Sequence, residues 1–287
     1  MLPNRNRRRV VAGGLLAPWL SAAAAVKGVP IRFGTTPVFL DDQISLLASW
    51  QTYLEDALQQ PVRFVQRGSY REIVDGLLDN SIDLAWLCGY PYVLFEKRLE
   101  LVAVPLYQSA PLYRSYLIVS RRDTTTTHVS QLSAQVFAYS DPLSNSGHLV
   151  PRVELIRADI APETFFRRAF FTYSHRKVVE AVRAGVANAG SVDGYVWDTL
   201  ELQQPRATEG VRIAWRSPQY GFPPIVGRSS FGSSPLRALT AAFEQMQTQD
   251  LGRQILTRLN VSGFVAAKSE LFDGVRQLVR IADRSRV

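Results

Sequence analysis

Small hydroxyl side chains are concentrated in one turn, "SDPLSNSG", which lies between a predicted strand and a predicted helix. The turn contains Ser140, Ser144, Asn145, Ser146 and Gly147, although a turn needs only one or two residues of this kind. Backbone N–H groups at a helix start attract anions, and Ser and Asn add further hydrogen-bonding groups. The turn is therefore a candidate oxyanion site, provided that other parts of the chain converge on it.

Polar side chains also stand at the ends of the other predicted strands. They are Thr35, Thr36, Cys88, Tyr90, Ser174, His175 and Asp193. The set contains no Lys or Arg, so an anion would have to be bound by backbone N–H groups, hydroxyls and helix N-termini. An ionised Asp193 only accepts hydrogen bonds. It would therefore select a ligand with its own O–H or N–H donor, such as a protonated oxyanion.

Each of these residues also has a simpler structural explanation. The turn could be a plain turn, Ser174 and Asp193 could only cap the helices that follow them, and Cys88 could be a buried apolar side chain. His175, taken alone, is expected to be a partly exposed residue in the first turn of a helix. What favours a site is that these residue types occur at several successive strand ends.

Short apolar strands alternate with helices along the chain, which is typical of a helix-flanked sheet with parallel strands. The predicted strands are 29–36, 61–66, 82–89, 99–107, 135–141, 170–175, 189–194 and 211–217. The predicted helices are one capped by Asp41 or Asp42, then 70–79, 91–98, 146–157, 162–169, 175–184, one from Tyr195, 234–248, 250–258 and 269–282. The segment 218–230 contains three prolines and is predicted to be a connection or hinge.

The expected architecture is an α/β fold with two lobes, each containing a helix-flanked mixed sheet. Lobe 1 is predicted to comprise residues 26–118 and 222–287, and lobe 2 residues 119–221. Two hinge crossings would lie near 117–121 and 218–224. Ligands of such sheets bind at the carboxyl ends of strands, and between two lobes these ends face a cleft.

The composition is that of an ordinary globular protein, with 46% hydrophobic and 20% charged residues. The net charge is +8, but half of this excess comes from four arginines among residues 1–25. The remaining positive charge is spread along the chain, which argues against a nucleic-acid-binding protein. The three histidines are too scattered for a metal-ligand pattern, and we expect no metal and no cofactor.

The first 25 residues have the layout of a secretory signal peptide with cleavage near Ala25. An arginine-rich start is followed by an apolar stretch and a run of small residues. The Arg8–Arg9 pair is compatible with the twin-arginine route as well as the general secretory route. No cysteine stands at the cleavage site, so we expect a periplasmic protein without a lipid anchor.

From about Ile31 to Arg284 the chain resembles the phosphonate, phosphite and phosphate substrate-binding proteins of ABC transporters, which have the type II periplasmic binding fold. The stretches that carry the resemblance are "IRFGTTPV", "IDLAWLCGYPYV", "SDPLSNSGHLVP", "YSHRKVVEAVRAGVANAGSVDGYVWD" and "SSPLRALTAAFEQM". The resemblance implies an exported protein that captures a small oxyanion for an ABC permease. The residues that match the family's ligand-binding positions are Ser144, Ser146, Gly147, Ser174, His175, Asp193 and either Tyr90 or Tyr92.

Cys88 departs from the phosphonate-binding pattern and leaves two alternatives. It resembles the thiol of arsenite-sensing relatives that signal to a histidine kinase, since trivalent arsenic is thiophilic. It could also be the nucleophile of an enzyme in which His175 is the base, although no residue is clearly placed to orient the histidine. If Cys88 binds arsenite, the protein is a sensor, and if Cys88 is a nucleophile, the protein is an enzyme. In the main interpretation it is a monomeric transport protein.

Overall fold

The computed structural model describes residues 28–36 and 44–284. In these ranges the strands are β1 (Ile31–Thr35), β2 (Val62–Gln66), β3 (Leu84–Trp86), β4 (Leu99–Leu106), β5 (Leu112–Tyr113), β6 (Ser115–Ser120), β7 (Val136–Tyr139), β8 (Arg168–Phe171), β9 (Ala189–Asp193), β10 (Val211–Arg216), β11 (Tyr220–Gly221), β12 (Ile225–Arg228) and β13 (Gly263–Val265). The helices are α1 (Ile44–Leu58), α2 (Tyr70–Leu78), α3 (Gly89–Phe95), α4 (Val150–Arg157), α5 (Pro162–Phe165), α6 (His175–Arg183), α7 (Gly194–Gln203), α8 (Ser233–Gln245), α9 (Asp250–Leu259) and α10 (Asp273–Arg284).

The first sheet has six strands in the order β13-β4-β12-β3-β1-β2. Strands β1, β2 and β3 run parallel to one another, as the alternation of strands and helices predicts. Strand β12 lies between β3 and β4 and is antiparallel to both. The sheet is therefore mixed, and its central strand comes from the last quarter of the chain.

The second sheet has five strands in the order β10-β6-β9-β7-β8. Strand β7 is parallel to β8 and β9, whereas β6 is antiparallel to β9 and β10. Helix α6 packs on this sheet through Val178, Val179 and Val182, the face that the sequence pattern predicts. A Cβ atom at Gly190 would lie 2.4 Å from Val178 Cγ1, so the close approach of α6 to β9 requires glycine there.

A short two-stranded sheet of β5 and β11 joins the two helix-flanked units. The chain crosses between the sheets in 107–114 and again in 217–224. The predicted hinge crossings are near 117–121 and 218–224, and the first passage between the sheets precedes 117–121. Residues 115–118, which we assigned to lobe 1, pair with β9 and β10 in the second sheet.

The apolar core of the first unit is rich in aromatic side chains. Trp50 of α1 packs edge-on against Phe33 of β1 and Trp86 of β3, with ring centroids 5.4 and 5.8 Å apart. Helix α8 brings Phe243 onto the same cluster, 6.2 Å from Trp50. The first unit therefore depends on the C-terminal part of the chain for its core as well as for its central strand.

Several predicted elements differ from the structure. The predicted helix 162–169 ends at Phe165, because Arg168–Phe171 pair with β7 as strand β8. The proline-rich segment 218–230 contains β11 and β12 as well as the crossing. Strands β5, β6 and β13 were not predicted. The Asp41 or Asp42 cap and residues 1–25 lie outside the described residues.

None of the helices in the described ranges combines the length and apolar character that a membrane-spanning helix requires. Within the same ranges, no group of three or more His, Cys, Asp and Glu side chains is placed to hold a metal ion.

Candidate functional site

The turn after β7 is built as a buried polar core rather than as a surface loop. It ends in a π-helical segment, Asn145–Leu149, which continues into α4. The Ser144 hydroxyl accepts a hydrogen bond from the Gly147 N–H at 2.9 Å and so caps this segment. Ser140, Ser144, Asn145 and Ser146 are each at most 1% exposed. Burying so many polar groups is costly unless they have partners.

The carbonyl group of Ser146 fixes the turn to the second sheet. It accepts hydrogen bonds of 2.7 Å from the hydroxyls of Ser115 on β6 and Ser191 on β9. The two hydroxyls also lie 3.0 Å from each other. Ser115 and Ser191 were not among the predicted site residues, since a serine inside a strand gives no sequence signal for such a contact.

Gly147 is required because its backbone lies against two other site residues. A Cβ atom at this position would lie 1.8 Å from Ser140 Oγ, 2.7 Å from Ser140 Cβ and 3.1 Å from His175 Cε1. Gly147, Ser140 and His175 therefore pack directly on one another. The structure brings these three predicted residues together from two different strand ends.

His175 is 1% exposed, so the expectation of a partly exposed side chain is wrong. It is the first residue of α6, and its Nδ1 atom accepts a hydrogen bond from the Asp193 N–H at 3.0 Å. Burial lowers the pKa of His175 to about 3. The ring is therefore neutral, and because Nδ1 is an acceptor, Nε2 carries the proton and is a donor.

Asp193 ends β9 and caps α7, since its Oδ1 atom accepts a hydrogen bond from the Tyr195 N–H at 2.9 Å. The side chain is 3% exposed. Burial is the main cause that raises the pKa of Asp193 to about 8, against the lowering effect of its backbone hydrogen bonds. At neutral pH the carboxyl is therefore largely protonated and has an O–H to donate. Asp193 is thus not the ionised residue, able only to accept hydrogen bonds, that we considered from the sequence.

Cys88 connects the first unit to the turn of the second. It precedes α3, and its Sγ atom accepts a hydrogen bond from the Asn145 N–H at 3.2 Å. The Asn145 side-chain amide in turn donates to the Tyr113 hydroxyl at 3.0 Å. Burial raises the pKa of the Cys88 thiol to about 11, so Cys88 is a protonated thiol rather than a thiolate at neutral pH.

Four buried polar atoms of the predicted site residues have no hydrogen-bonding partner within the protein. They are Thr35 Oγ1, Ser140 Oγ, Asn145 Oδ1 and Ser146 Oγ. In the described part of the chain only two other buried side-chain atoms, the indole nitrogens of Trp50 and Trp197, share this property. Buried polar groups are normally paired. Three of these four atoms belong to the turn after β7 and the fourth to the end of β1, so the turn has the character of a site that a polar ligand completes.

Two tyrosines belong to the site although they were not predicted. Tyr113 lies in β5 at the crossing, beside Ser146 and Asn145. The pKa of Tyr70 is raised well above its usual value, first by burial and then by the nearby Cys88 and Asp141. Tyr70 follows the second strand by four residues and could have been found by extending the strand-end search. Tyr113 has no comparable sequence signal.

Thr36 and Tyr70 of the first unit and Ser140, Ser174 and His175 of the second line one small pocket. Gly68, Ser69, Asp141 and Tyr173 complete its lining. The Ser174 hydroxyl also accepts from the Lys177 N–H at 3.4 Å. Ser174 therefore caps α6, as its simpler structural explanation proposed, and it also lines the pocket.

The structure distinguishes between Tyr90 and Tyr92, the two alternatives for the aromatic residue of the candidate site. Tyr90 lies next to Cys88 and its backbone N–H lowers the pKa of the thiol. The ring of Tyr92 instead packs on Phe272 at 4.9 Å, and the residue lines a different pocket with Glu96 and Arg276. Tyr92 is therefore not part of the cluster around the turn.

Comparison with known proteins agrees with this architecture. Residues 33–272 match the family described as the periplasmic substrate-binding protein of phosphonate ABC transporters. The chain is 22% identical over 247 residues to the probable ABC transporter phosphite-binding protein PhnD1 of Prochlorococcus marinus, covering 81% of this chain and 82% of that protein. It is 23% identical over 274 residues to the phosphonates-binding periplasmic protein of Escherichia coli, covering 92% and 79%.

Two crystal structures share the fold. A binding protein component of an ABC phosphonate transporter from Pseudomonas aeruginosa gives a TM-score of 0.81 at 22% identity, covering 90% of this chain and 88% of that one. PhnD1 of Prochlorococcus marinus in complex with methylphosphonate gives 0.78 at 20% identity, covering 88% and 98%. The fold is that of the type II periplasmic binding proteins. The chain belongs to the family of phosphonate ABC-transporter periplasmic substrate-binding proteins.

Proposed function

We propose that the protein captures a small phosphorus oxyanion, such as phosphonate, phosphite or phosphate, between its two helix-flanked units and delivers it to an ABC permease. The observation that carries this proposal is the set of four buried polar atoms without protein partners, to which both units contribute. A tetrahedral oxyanion offers several acceptor oxygens to Thr35, Ser140 and Ser146, which are all hydroxyl donors. An O–H on the ligand would satisfy the Asn145 Oδ1 atom.

Asp193 and His175 support a ligand that is bound without a cationic side chain. A protonated Asp193 and a His175 ring with its proton on Nε2 are both neutral donors. The chemistry of the set therefore suits an oxyanion held by hydrogen bonds. Support also comes from relatives whose names refer to phosphite, phosphonate and phosphate.

The two alternative functions gain no support from the geometry. Metalloid binding requires a thiolate, whereas burial keeps Cys88 protonated. A nucleophilic cysteine requires a nearby base, but the Nδ1 atom of His175 is already bonded to the Asp193 N–H, and the lowered pKa makes the ring a weak base. We therefore propose a protein that binds and releases its ligand without chemical change.

We also infer that the chain is exported through its first 25 residues, works as a monomer, and has its two lobes divided near residues 114 and 222. The arginine-rich start and the small-residue run before Val26 support export. The positions of β6 and β12 in different sheets support the lobe limits.

Isothermal titration with phosphate, phosphite, methylphosphonate and arsenite tests the proposal, with sulfate as a further anion. We expect binding of at least one phosphorus oxyanion and a rise in melting temperature, because a ligand at a hundred times its Kd adds about 2.7 kcal/mol to the free energy of unfolding. Ser146→Ala should weaken binding about tenfold or more. Ser262→Ala, which alters an exposed serine bonded to the Leu106 carbonyl, is the matched control and should bind normally.

The proposal is wrong if none of the phosphorus oxyanions binds to the wild-type protein, or if Ser146→Ala binds them as tightly as Ser262→Ala does. Binding of arsenite alone would instead favour the sensor alternative.

A further inference from the structure

Asp141 reaches from the second unit to the first. It follows Ser140 in the turn after β7, and its Oδ2 atom accepts a hydrogen bond from the Tyr70 backbone N–H at 3.1 Å. Its Oδ1 atom accepts from the Leu143 N–H of its own turn at 2.7 Å. The residue is only 5% exposed. One side chain thus joins the turn of the candidate site to a helix of the other unit.

The Tyr70 N–H is available because of its place in α2. The first four N–H groups of an α-helix have no partner within the helix. Ser69, the residue that caps α2, supplies an acceptor for the Glu72 N–H at 3.3 Å. The Tyr70 N–H is the first of these groups, and it is satisfied across the cleft by Asp141 rather than from within the first unit.

The same residue places an aromatic side chain at the site. Tyr70 lines the small pocket together with Thr36, Ser140, Asp141 and His175. Because Asp141 is adjacent in sequence to Ser140, the turn that would bind the ligand and the residue that holds Tyr70 move together. The contact between Asp141 and the Tyr70 N–H therefore joins the two units at residues that line this pocket.

We propose that Asp141 is a positioning residue that fastens Tyr70 over the bound oxyanion when the two units close. The inference rests on the proposed function, since it concerns the same site. Asp141 does not need to touch the ligand. It acts through the Tyr70 backbone, and its contribution is to slow ligand release.

A purely structural role for Asp141 within its own turn is the competing explanation, because Asp141→Ala also removes the acceptor of the Leu143 N–H. Asp123 provides the matched control. It likewise accepts backbone hydrogen bonds in its own turn, from Thr125 at 3.0 Å and Thr126 at 2.9 Å, and it lines a different pocket. Asp123→Ala should therefore lower stability without changing ligand affinity.

Tyr70→Pro removes the donor without breaking the helix. Proline is favoured at the first position of an α-helix, where its missing N–H is not needed for the helix. The preceding residue must be extended, and Ser69 already is, with φ −149° and ψ 160°. Tyr70→Pro also removes the tyrosine ring from the pocket. Comparing Asp141→Ala in the wild-type and Tyr70→Pro backgrounds therefore measures how much of the effect of Asp141 on affinity passes through residue 70.

The experiment measures Kd by titration with methylphosphonate, phosphite and phosphate, and the rate constants by stopped-flow fluorescence. We expect Asp141→Ala to raise Kd about tenfold, mainly through faster dissociation, and to have little effect in the Tyr70→Pro background. Asp141→Asn keeps a side-chain acceptor and should recover part of the affinity. Small-angle scattering of the ligand-saturated Asp141→Ala protein should give a larger radius of gyration than that of the wild type.

Three results would overturn the inference. The first is a wild-type Kd in Asp141→Ala. The second is the same fold-change from Asp141→Ala in both backgrounds, and the third is equal weakening in Asp141→Asn and Asp141→Ala. A wild-type protein that binds none of the three anions overturns the proposed function and the inference together, whereas normal wild-type binding with any of these results overturns the inference alone.

Discussion

Gly147→Ala is the most demanding test of the site, because the structure leaves no room for a methyl group there. The added Cβ would lie 1.8 Å from Ser140 Oγ and 2.7 Å from Ser140 Cβ. The hydroxyl could rotate away, but the Cβ atom moves only with the backbone after β7. To reach ordinary contact the two groups must separate by roughly 0.7 Å, which a close-packed interior does not absorb.

Two effects of this overpacking should be measurable. The free energy of unfolding should fall by about 1–3 kcal/mol, the usual cost of an extra methyl group in a packed interior. The shift also exceeds the roughly 0.5 Å tolerance of a preorganised site, so methylphosphonate affinity should fall at least about tenfold. Urea unfolding of the ligand-free protein measures the first effect and isothermal titration the second.

The matched variants separate the clash from other causes. Ser140→Gly in the Gly147→Ala protein removes the opposing Cβ atom and should restore most of the lost stability, but not the ligand affinity, because the Ser140 hydroxyl is gone. Gly274→Ala in α10 meets its nearest atom at 3.3 Å and should change both quantities little. If Gly147→Ala binds and unfolds like the wild type, the turn does not pack on Ser140 as described and is not a preorganised ligand site.

Three further changes test the chemistry of individual residues. Cys88→Ser should keep methylphosphonate affinity within about threefold, since a hydroxyl also accepts the Asn145 N–H, and should abolish any melting shift caused by arsenite; loss of phosphonate binding would contradict this. In urea unfolding of the ligand-free protein, stability should fall between about pH 6.5 and 8, because Asp193 stays protonated in the fold up to about pH 8 but is ionised above 3.8 when unfolded. The pKa of His175 falls from 6.5 to about 3 on folding, so this residue adds to the free energy of unfolding as the pH rises to about 6.5 and adds no more above it. Asp193→Asn should therefore make the stability profile flat from pH 6.5 to 8. An unchanged slope in this variant would refute the assignment to Asp193. His175→Phe should lower the free energy of unfolding by about 1–3 kcal/mol, because the Asp193 N–H loses its acceptor, whereas His175→Asn should lose less; equal losses would contradict the Nδ1 contact.

The location of the candidate site could be predicted from the sequence because of a topological rule. The carboxyl ends of parallel strands meet at one edge of a sheet, and the residues there are visible as polar types after apolar runs. The rule identified the turn at Ser140, the Ser174–His175 pair and Asp193, which the structure brings together. It also explains why Thr35 and Cys88 were identified on the first unit.

Other features of the site had no comparable signal. Tyr113 lies in a two-residue strand at the crossing, and Ser115 and Ser191 lie inside strands, so only three-dimensional pairing shows their contacts. The neutral state of His175 and the protonated state of Asp193 follow from burial, which single residue types do not reveal. Strand β12 was missed because its four residues follow two prolines.

The position of β12 in the middle of the first sheet has a consequence for how the chain acquires its structure. Until residues 225–228 have been synthesised, β3 and β4 have open inner edges. All strands of the second sheet lie between Ser115 and Arg216, so that half is complete in one continuous stretch and is free to fold earlier. The first unit is then the last to be completed, although it begins the described chain. Its completion requires closing a loop of more than a hundred residues between β4 and β12. This step is slow, because folding rates fall as the sequence separation of contacting residues grows.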